Sequence, residues 1–104
     1  MAGKIVWSLQ ARDDLRDVVA FIAADNPAAA ESFGYRIISR VDQLTTFPLL
    51  GRAVPEADDE DIRELIVRPY RIVYRVLAEQ NAIAIVRVWH GARGEPEIPV
   101  RLEF

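Results

Sequence analysis

The chain has 104 residues, no cysteine, a single histidine and a formal net charge of −3. This length is typical of one compact domain and leaves no room for two independent cores. Without cysteine the chain cannot form a disulfide, a thiolate zinc site or a thiol nucleophile. No apolar run is long enough to span a membrane, so we expect one cytoplasmic domain over residues 1–104 with no membrane contact.

The charge is unevenly distributed along the chain. Residues 1–61 carry six basic and eleven acidic side chains, whereas residues 62–104 carry seven and five, and twelve of the thirteen basic residues are arginine. Arginine favours bidentate contacts with carboxylate or phosphate, so this bias indicates specific sites, although high-GC codon usage would also produce it. The net negative charge argues against non-specific nucleic-acid binding, which needs a broad positive field.

The first half of the chain predicts a strand followed by two helices. Residues 4–7 are mostly β-branched or aromatic, and Ser8 is suited to cap the helix that follows. Apolar residues then recur with helical spacing for about four turns, with Asp14 among the polar residues assigned to the other face. Asn26 is the expected cap of a second helix, whose apolar positions continue to Phe47. The short link between the helices predicts an αα-hairpin.

The second half predicts an antiparallel meander with strands at residues 62–67, 70–77 and 82–89. Residues 100–104 are either a short extra strand or an arm, and we expect a flexible tail from about residue 94 onward. The fold class is therefore α+β: an N-terminal strand, an αα-hairpin and a three- to four-stranded antiparallel sheet, with the helices packed on one sheet face. The other sheet face is free to carry a site.

The strand at residues 70–77 places Arg71 and Arg75 on the same face, because side chains alternate along a strand. The neighbour of Arg71 on the next strand depends on the turn. A two-residue turn places His90 opposite Arg71, whereas a three-residue turn places Trp89 there.

The motifs of this chain resemble those of the RelE/ParE superfamily of toxins from bacterial type II toxin–antitoxin systems. The first half carries Trp-Ser at residues 7–8, Asn-Pro at 26–27 and Phe-Pro-x-x-Gly-Arg at 47–52. The second half carries Arg-Glu-Leu at 63–65, Pro-Tyr-Arg-Ile-Val-Tyr-Arg-Val at 69–76 and Val-Trp-His-Gly-Ala-Arg at 88–93. These motifs stand in the family's usual order over nearly all of the chain, and the family's fold agrees with the α+β prediction.

The resemblance implies a growth-inhibiting toxin of the kind found in plasmid stabilisation systems, held in a hetero-oligomer by a cognate ParD-like or other antitoxin. It also implies two alternative activities. ParE-like members bind DNA gyrase without being nucleases, whereas RelE-like members cut messenger RNA in the ribosome. For RNA cleavage, Arg71 and Arg93 match the phosphate-contacting arginines of the nucleases, and Glu56, Arg71 and His90 fall near the glutamate, arginine and histidine of a second nuclease subgroup.

The chain departs from the nuclease pattern in its charges. Where RelE-like nucleases carry lysines on the strand before Arg71, this chain has Ile62 and Glu64. A net charge of −3 also opposes docking within ribosomal RNA. We therefore predict a non-catalytic gyrase inhibitor, with RNA cleavage by Arg71, His90, Arg93 and Glu56 as the alternative. The predicted target contacts, chosen because arginine and tryptophan anchor protein interfaces, are Arg63, Arg71, Arg75, Arg87, Trp89 and Arg93.

Structural roles compete with these functional ones. Arg71 also fits a salt bridge with Glu64 on the neighbouring strand, and His90 fits a hydrogen-bonding role at a strand end. For the antitoxin we expect an exposed apolar strip that includes Phe21, Phe33 and Trp89. We expect no metal and no cofactor, since the adjacent carboxylates of residues 56–61 lack a preorganised oxygen cage.

Overall fold

The computed structural model describes residues 3–104 as one α+β domain. Two helices pack against one face of a five-stranded sheet, as the sequence predicts for the helices. None of the helices in this described part is long and apolar enough to cross a membrane. In chain order the elements are β1 (Lys4–Trp7), α1 (Leu9–Asp25), α2 (Pro27–Asp42), β2 (Arg52–Ala53), β3 (Ile62–Val67), β4 (Tyr70–Leu77) and β5 (Ala82–His90).

The sheet has the strand order β1-β5-β4-β3-β2. Strands β2 to β5 are antiparallel, but β1 lies parallel to β5, pairing Lys4 with Ala82 and Trp7 with Ile85. The expected three- to four-stranded antiparallel sheet is confirmed in β2 to β5, and the predicted N-terminal strand joins it as a fifth, parallel strand. The first strand joins it because the helical hairpin returns the chain across one sheet face, leaving the outer edge of β5 open for β1.

Both helices begin at the predicted caps. Ser8 Oγ accepts the backbone N–H of Ala11, and Asn26 Oδ1 accepts that of Ala29, so each side chain satisfies a donor of the first turn. The second helix is shorter than predicted, because α2 ends at Asp42 and a 3₁₀ turn follows over Gln43–Thr45. Phe47, predicted as the last apolar position of that helix, is 61% exposed.

A β-bulge in β5 decides the register beside Arg71. Four residues lie between the paired Leu77 and Ala82, so neither turn length considered above occurs. The register then shifts by one at Val86, and Arg71 lies opposite Trp89. Ser8 stabilises this bulge, since its Oγ donates to the carbonyl of Val86 at 3.2 Å.

The bulge also reverses which side chains of β5 face the helices. Ile85 and Val88 both join the core between helices and sheet, whereas Val86 points to the opposite face. Strict alternation would have put Ile85 and Val88 on opposite faces. As a result, each residue in the last third of β5 faces the side of the sheet opposite to the one that simple alternation assigns.

The outer sheet face, away from the helices, is not free as expected. It carries a second group of buried side chains, which we call the outer cluster: Val54, Ile62, Val73 and Val86. Ile98 and Leu102 of the C-terminal tail pack over this cluster. The tail forms no strand, yet it is packed against the sheet, because four adjacent aliphatic side chains would otherwise face water.

Candidate functional site

Arg71 projects from β4 onto the outer face and is held by two carboxylates. Its Nε donates to Glu64 Oε1, while Nη1 and Nη2 donate to the two oxygens of Glu56 at 3.0 and 2.8 Å. The hydrogen bonds that Arg71 donates to Glu56, and then to Glu64, raise the pKa of its guanidinium above the usual range. Every nitrogen of the guanidinium therefore has a carboxylate partner, and the predicted Arg71–Glu64 bridge is present.

Glu64 is the buried centre of this arrangement. Its side chain has no exposed surface, and its second oxygen accepts Nε of Arg52 at 2.7 Å. Glu56 lies on the loop between β2 and β3, with 31% of its side chain exposed. The hydrogen bonds from Arg71 hold the pKa of Glu56 below its ordinary value. We call these four residues, Arg52, Glu56, Glu64 and Arg71, the Arg71 clamp; their formal charges sum to zero.

His90 lies at the end of β5, where its pairing with Tyr70 places it on the helix-side face. Its Nδ1 accepts the backbone N–H of Ala92 at 3.0 Å, so in this arrangement Nδ1 is unprotonated and Nε2 is the ring nitrogen left to meet a ligand. Its ring packs edge-on against Tyr70, with the centroids 5.1 Å apart. An open depression of about 550 Å³ joins His90 to the clamp; its charged and ring-bearing lining residues are Arg52, Arg68, Tyr70, Arg71 and His90.

Arg87 and Trp89 form a separate group on β5. Arg87 is bound by Asp14 of α1 through two hydrogen bonds of 2.7 and 2.9 Å, and these raise the pKa of the Arg87 guanidinium. Trp89 is buried and donates from Nε1 to the carbonyl of Gly94 at 3.2 Å. The guanidinium of Arg93 stacks on the Trp89 ring, 3.8 Å from its centroid, and that of Arg87 lies 4.9 Å from it.

The remaining predicted contacts lie apart from one another. Arg75 shares the outer face with Arg71 and pairs with Asp59 at 3.2 Å. Arg63 pairs with Tyr74 in the register of β3 and β4, so it lies on the helix-side face and donates to the carbonyl of Gly51. The structure thus joins Arg71 with Glu56, and Arg87 with Trp89 and Arg93. His90 lines the same depression as Arg71 but pairs with Tyr70 on the helix-side face. Arg63 is separate from both groups.

Comparison with known proteins identifies the family. Residues 5–94 match the family described as the ParE toxin of the type II toxin–antitoxin system parDE. The chain belongs to the RelE/ParE toxins. The toxin RelE2 of Caulobacter vibrioides is 30% identical over 90 residues, which cover 86% of this chain and 97% of that protein.

Solved structures of toxin–antitoxin systems share the fold of this RelE/ParE toxin. A chain of the chromosomal ParDE system from P. aeruginosa superposes with a TM-score of 0.70 at 21% identity, covering 86% of this chain and 96% of that one. A chain of the RelBE2 complex from Mycobacterium tuberculosis gives 0.58 at 23% identity, covering 86% and 99%. The family match over residues 5–94 makes the protein a type II toxin, and the two solved structures that share its fold come from toxin–antitoxin systems.

The three apolar residues expected to meet the antitoxin lie in different environments of this RelE/ParE toxin. Phe21 on α1 is 79% exposed, whereas Phe33 is 7% and Trp89 only 2% exposed. Phe33 packs on Tyr70 in the core, and Trp89 is covered by Arg93. Of the three, Phe21 alone offers apolar surface to a partner in the structure of the isolated chain.

Asp14 is the site residue that the sequence analysis placed incorrectly, on the solvent face of α1. Its side chain is 14% exposed and binds Arg87. The helical spacing contained the signal, because position 14 follows the buried Ala11 by three residues and precedes Val18 by four, which puts it on the apolar stripe. An acidic residue on such a stripe indicates a buried basic partner.

Among residues 3–104 no group of three candidate metal ligands comes together.

Proposed function

We propose that this RelE/ParE toxin acts by binding a protein, DNA gyrase, and that it is not itself a nuclease. The observation that carries the proposal is the saturation of Arg71 by Glu56 and Glu64. A nuclease needs unpaired cations to stabilise the charge that develops on the phosphate during cleavage. Here the arginine best placed for that role is neutralised, and Arg87 is neutralised in the same way by Asp14.

The exposed cations suit a protein interface. Arg68 and Arg93 are exposed at the end of the sheet, and the side chain of Arg52 is 62% exposed at the margin of the clamp. Arginine with a stacked tryptophan is a frequent anchor of such interfaces, and Arg93 on Trp89 has this form. Gyrase and ribosomes are both cytoplasmic, so we place the toxin in the cytoplasm under either activity.

Cleavage of messenger RNA is the second candidate, and one observation favours it. Arg71 and His90 line the same depression, and Glu56 is hydrogen-bonded to Arg71. The glutamate, arginine and histidine of the alternative prediction therefore lie at one end of the sheet. For cleavage, Glu56 would have to leave Arg71, which would free its two terminal nitrogens for a phosphate.

Two assays on the purified toxin separate these activities. One measures gyrase supercoiling and the other the cleavage of messenger RNA on translating ribosomes. We expect inhibited supercoiling and intact message, with Arg93→Ala weakening inhibition and Arg12→Ala, an equal charge change on the exposed face of α1, leaving it unaltered. The nuclease would be established instead if the native toxin cleaves the message, His90→Ala abolishes this cleavage, and gyrase is unaffected.

We propose Phe21 as part of the surface that the cognate antitoxin covers. It lines a depression of about 320 Å³ between α1 and the end of β5, together with Val18 and Val88. An amphipathic antitoxin segment could bury the Phe21 ring there. Phe21→Ala should weaken antitoxin binding without lowering the melting temperature, whereas Tyr35→Ala on α2, where the ring is 71% exposed, should not weaken it. Equal affinity of the two variants would exclude Phe21 from the interface.

A further inference from the structure

The C-terminal residues 95–104 cross the outer sheet face as an irregular segment, which we call the strap. They follow the part of the chain, residues 5–94, that matches the ParE toxin family. Gly94 starts the strap with a φ of +79°, a conformation that glycine adopts without strain. The strap contains no helix or strand. It therefore lies outside the matched range and takes part in no sheet pairing.

The strap is attached at a few points along its length. Ile98 and Leu102 pack on the outer cluster, each partly buried. The carbonyl of Glu103 accepts the backbone N–H of Leu9 at 2.6 Å, and the carbonyl of Glu97 accepts Arg87 Nη1 at 3.2 Å. Between these attachments Val100 is fully exposed. Releasing the strap would break these contacts and uncover the aliphatic side chains beneath it.

The surface under the strap has a definite chemistry. Its centre is the aliphatic outer cluster, and two arginines of the same face, Arg75 and Arg87, lie beside it, each paired with a carboxylate of the domain, Asp59 and Asp14. The strap meets this surface through its two apolar anchors, Ile98 and Leu102. An extended segment with apolar side chains at this spacing is thus the kind of ligand that this surface accepts.

We propose that the outer cluster is a docking groove for an extended apolar segment of the toxin's protein target, and that the strap is its built-in competitor. With the strap docked, the groove is covered and Arg87 is tied to the strap backbone. With the strap released, the groove is open to the target. This inference rests on the proposal that the toxin acts by binding a protein, and it does not require that protein to be gyrase.

The first test compares two strap substitutions in the full-length chain. Leu102→Ala removes a contact with the outer cluster, whereas Val100→Ala changes an exposed side chain of the same strap. Hydrogen exchange of the Leu9 amide reports docking, because this amide donates to Glu103. We expect Leu102→Ala to speed this exchange by about tenfold and Val100→Ala to leave it unchanged. Equal exchange in both variants would overturn the role of Leu102 in holding the strap.

The second test measures growth arrest at matched toxin abundance in cells lacking the antitoxin. Leu102→Ala should arrest growth at a lower expression level than the native chain, with Val100→Ala unchanged. Equal or weaker arrest by Leu102→Ala would overturn the competitor role. Weaker arrest is the result expected if the strap itself contacts the target, because the variant would then bind the target less well. Growth arrest does not depend on which target is hit, so stronger arrest with unaffected gyrase would keep the strap proposal and reject gyrase.

The third test uses a disulfide that links the strap to α1. Because the chain has no cysteine, Leu9→Cys with Glu103→Cys introduces the only thiols, at two residues whose backbones are hydrogen-bonded. Oxidation should tie the strap down and abolish gyrase inhibition, and reduction of the same sample should restore it. Undiminished gyrase inhibition by the oxidised protein would overturn the proposal. If the oxidised variant, the reduced variant and the native chain all fail to inhibit gyrase, gyrase is rejected as the target, and the strap proposal is judged by growth arrest.

Discussion

Asp14 of α1 binds both the side chain of Arg87 and the backbone N–H of Val88, so one carboxylate joins the first helix to the last strand. The three hydrogen bonds measure 2.7, 2.9 and 3.0 Å. Strand β1 pairs with β5 only as far as Ile85, and beyond that point Asp14 supplies the acceptor that a neighbouring strand would provide. Arg87 is thereby fixed in place beneath the strap.

Replacing Asp14 should destabilise the fold strongly. Asp14→Ala leaves a mostly buried guanidinium and a strand N–H without their partner, which costs about 3 kcal/mol of unfolding free energy. Asp13→Ala is the matched control, because Asp13 meets only the exposed Arg16 and its loss costs at most about 0.5 kcal/mol. Urea denaturation of the two variants checks the difference, and equal midpoints would show that the Asp14 interaction adds no stability.

Two glycines should respond in opposite ways to alanine. A Cβ at Gly51 would lie 2.5 Å from the carbonyl oxygen of Glu64 and 2.7 Å from the Tyr74 hydroxyl, so Gly51→Ala must displace a strand and lower stability. A Cβ at Gly34, within α2, meets no atom within 4 Å. Gly34→Ala should therefore raise stability by about 0.5 to 1 kcal/mol, since alanine loses less backbone entropy in a helix. Thermal unfolding measures both effects.

The Tyr74 hydroxyl should contribute to stability through its two hydrogen bonds. It donates to the carbonyl of Pro48 and accepts the N–H of Gly51, both at 2.9 Å, and burial raises the pKa of this hydroxyl. Tyr74→Phe leaves both backbone groups unpaired at a cost of about 1 to 3 kcal/mol. Tyr35→Phe, on an exposed ring, should be neutral. Similar unfolding curves for the two variants would contradict this role.

Glu56 should stabilise the fold in a pH-dependent manner. Hydrogen bonds from Arg71 lower the pKa of Glu56 from its ordinary value of 4.5. Its contribution is therefore complete above about pH 4.5 and is lost as the pH falls through the lower pKa of the folded state. Glu56→Gln should be less stable than the native chain at pH 7, and the difference should shrink on acidification. A difference that stayed constant down to pH 2 would exclude the Glu56 charge as its cause.

Local features of this fold could be predicted from the sequence. The strands at Ile62–Val67 and Tyr70–Leu77 have the predicted bounds, because both are rich in β-branched or aromatic residues and are separated by a Pro-containing turn. Ser8 and Asn26 cap the helices as expected. Such features depend on neighbouring residues, which the sequence displays directly.

Features that depend on distant contacts could not be predicted in this way. The bulge at Val86 depends on Ser8, 78 residues earlier, and it shifts the register that places Trp89 opposite Arg71. The outer face was expected to be free because the packing of Ile98 and Leu102 over it has no periodic signal. Arg52 of the Arg71 clamp was missed for the same reason, since its partner Glu64 lies on another strand.

The position of β1 has a consequence for synthesis of the toxin. This strand is translated before the other four strands, but its sheet neighbour is β5, with which it pairs at residues 82–85. The sheet therefore cannot close until most of the polypeptide has been translated, and such long-range pairings form late in folding. A nascent chain that still lacks β5 therefore cannot present the finished sheet surface.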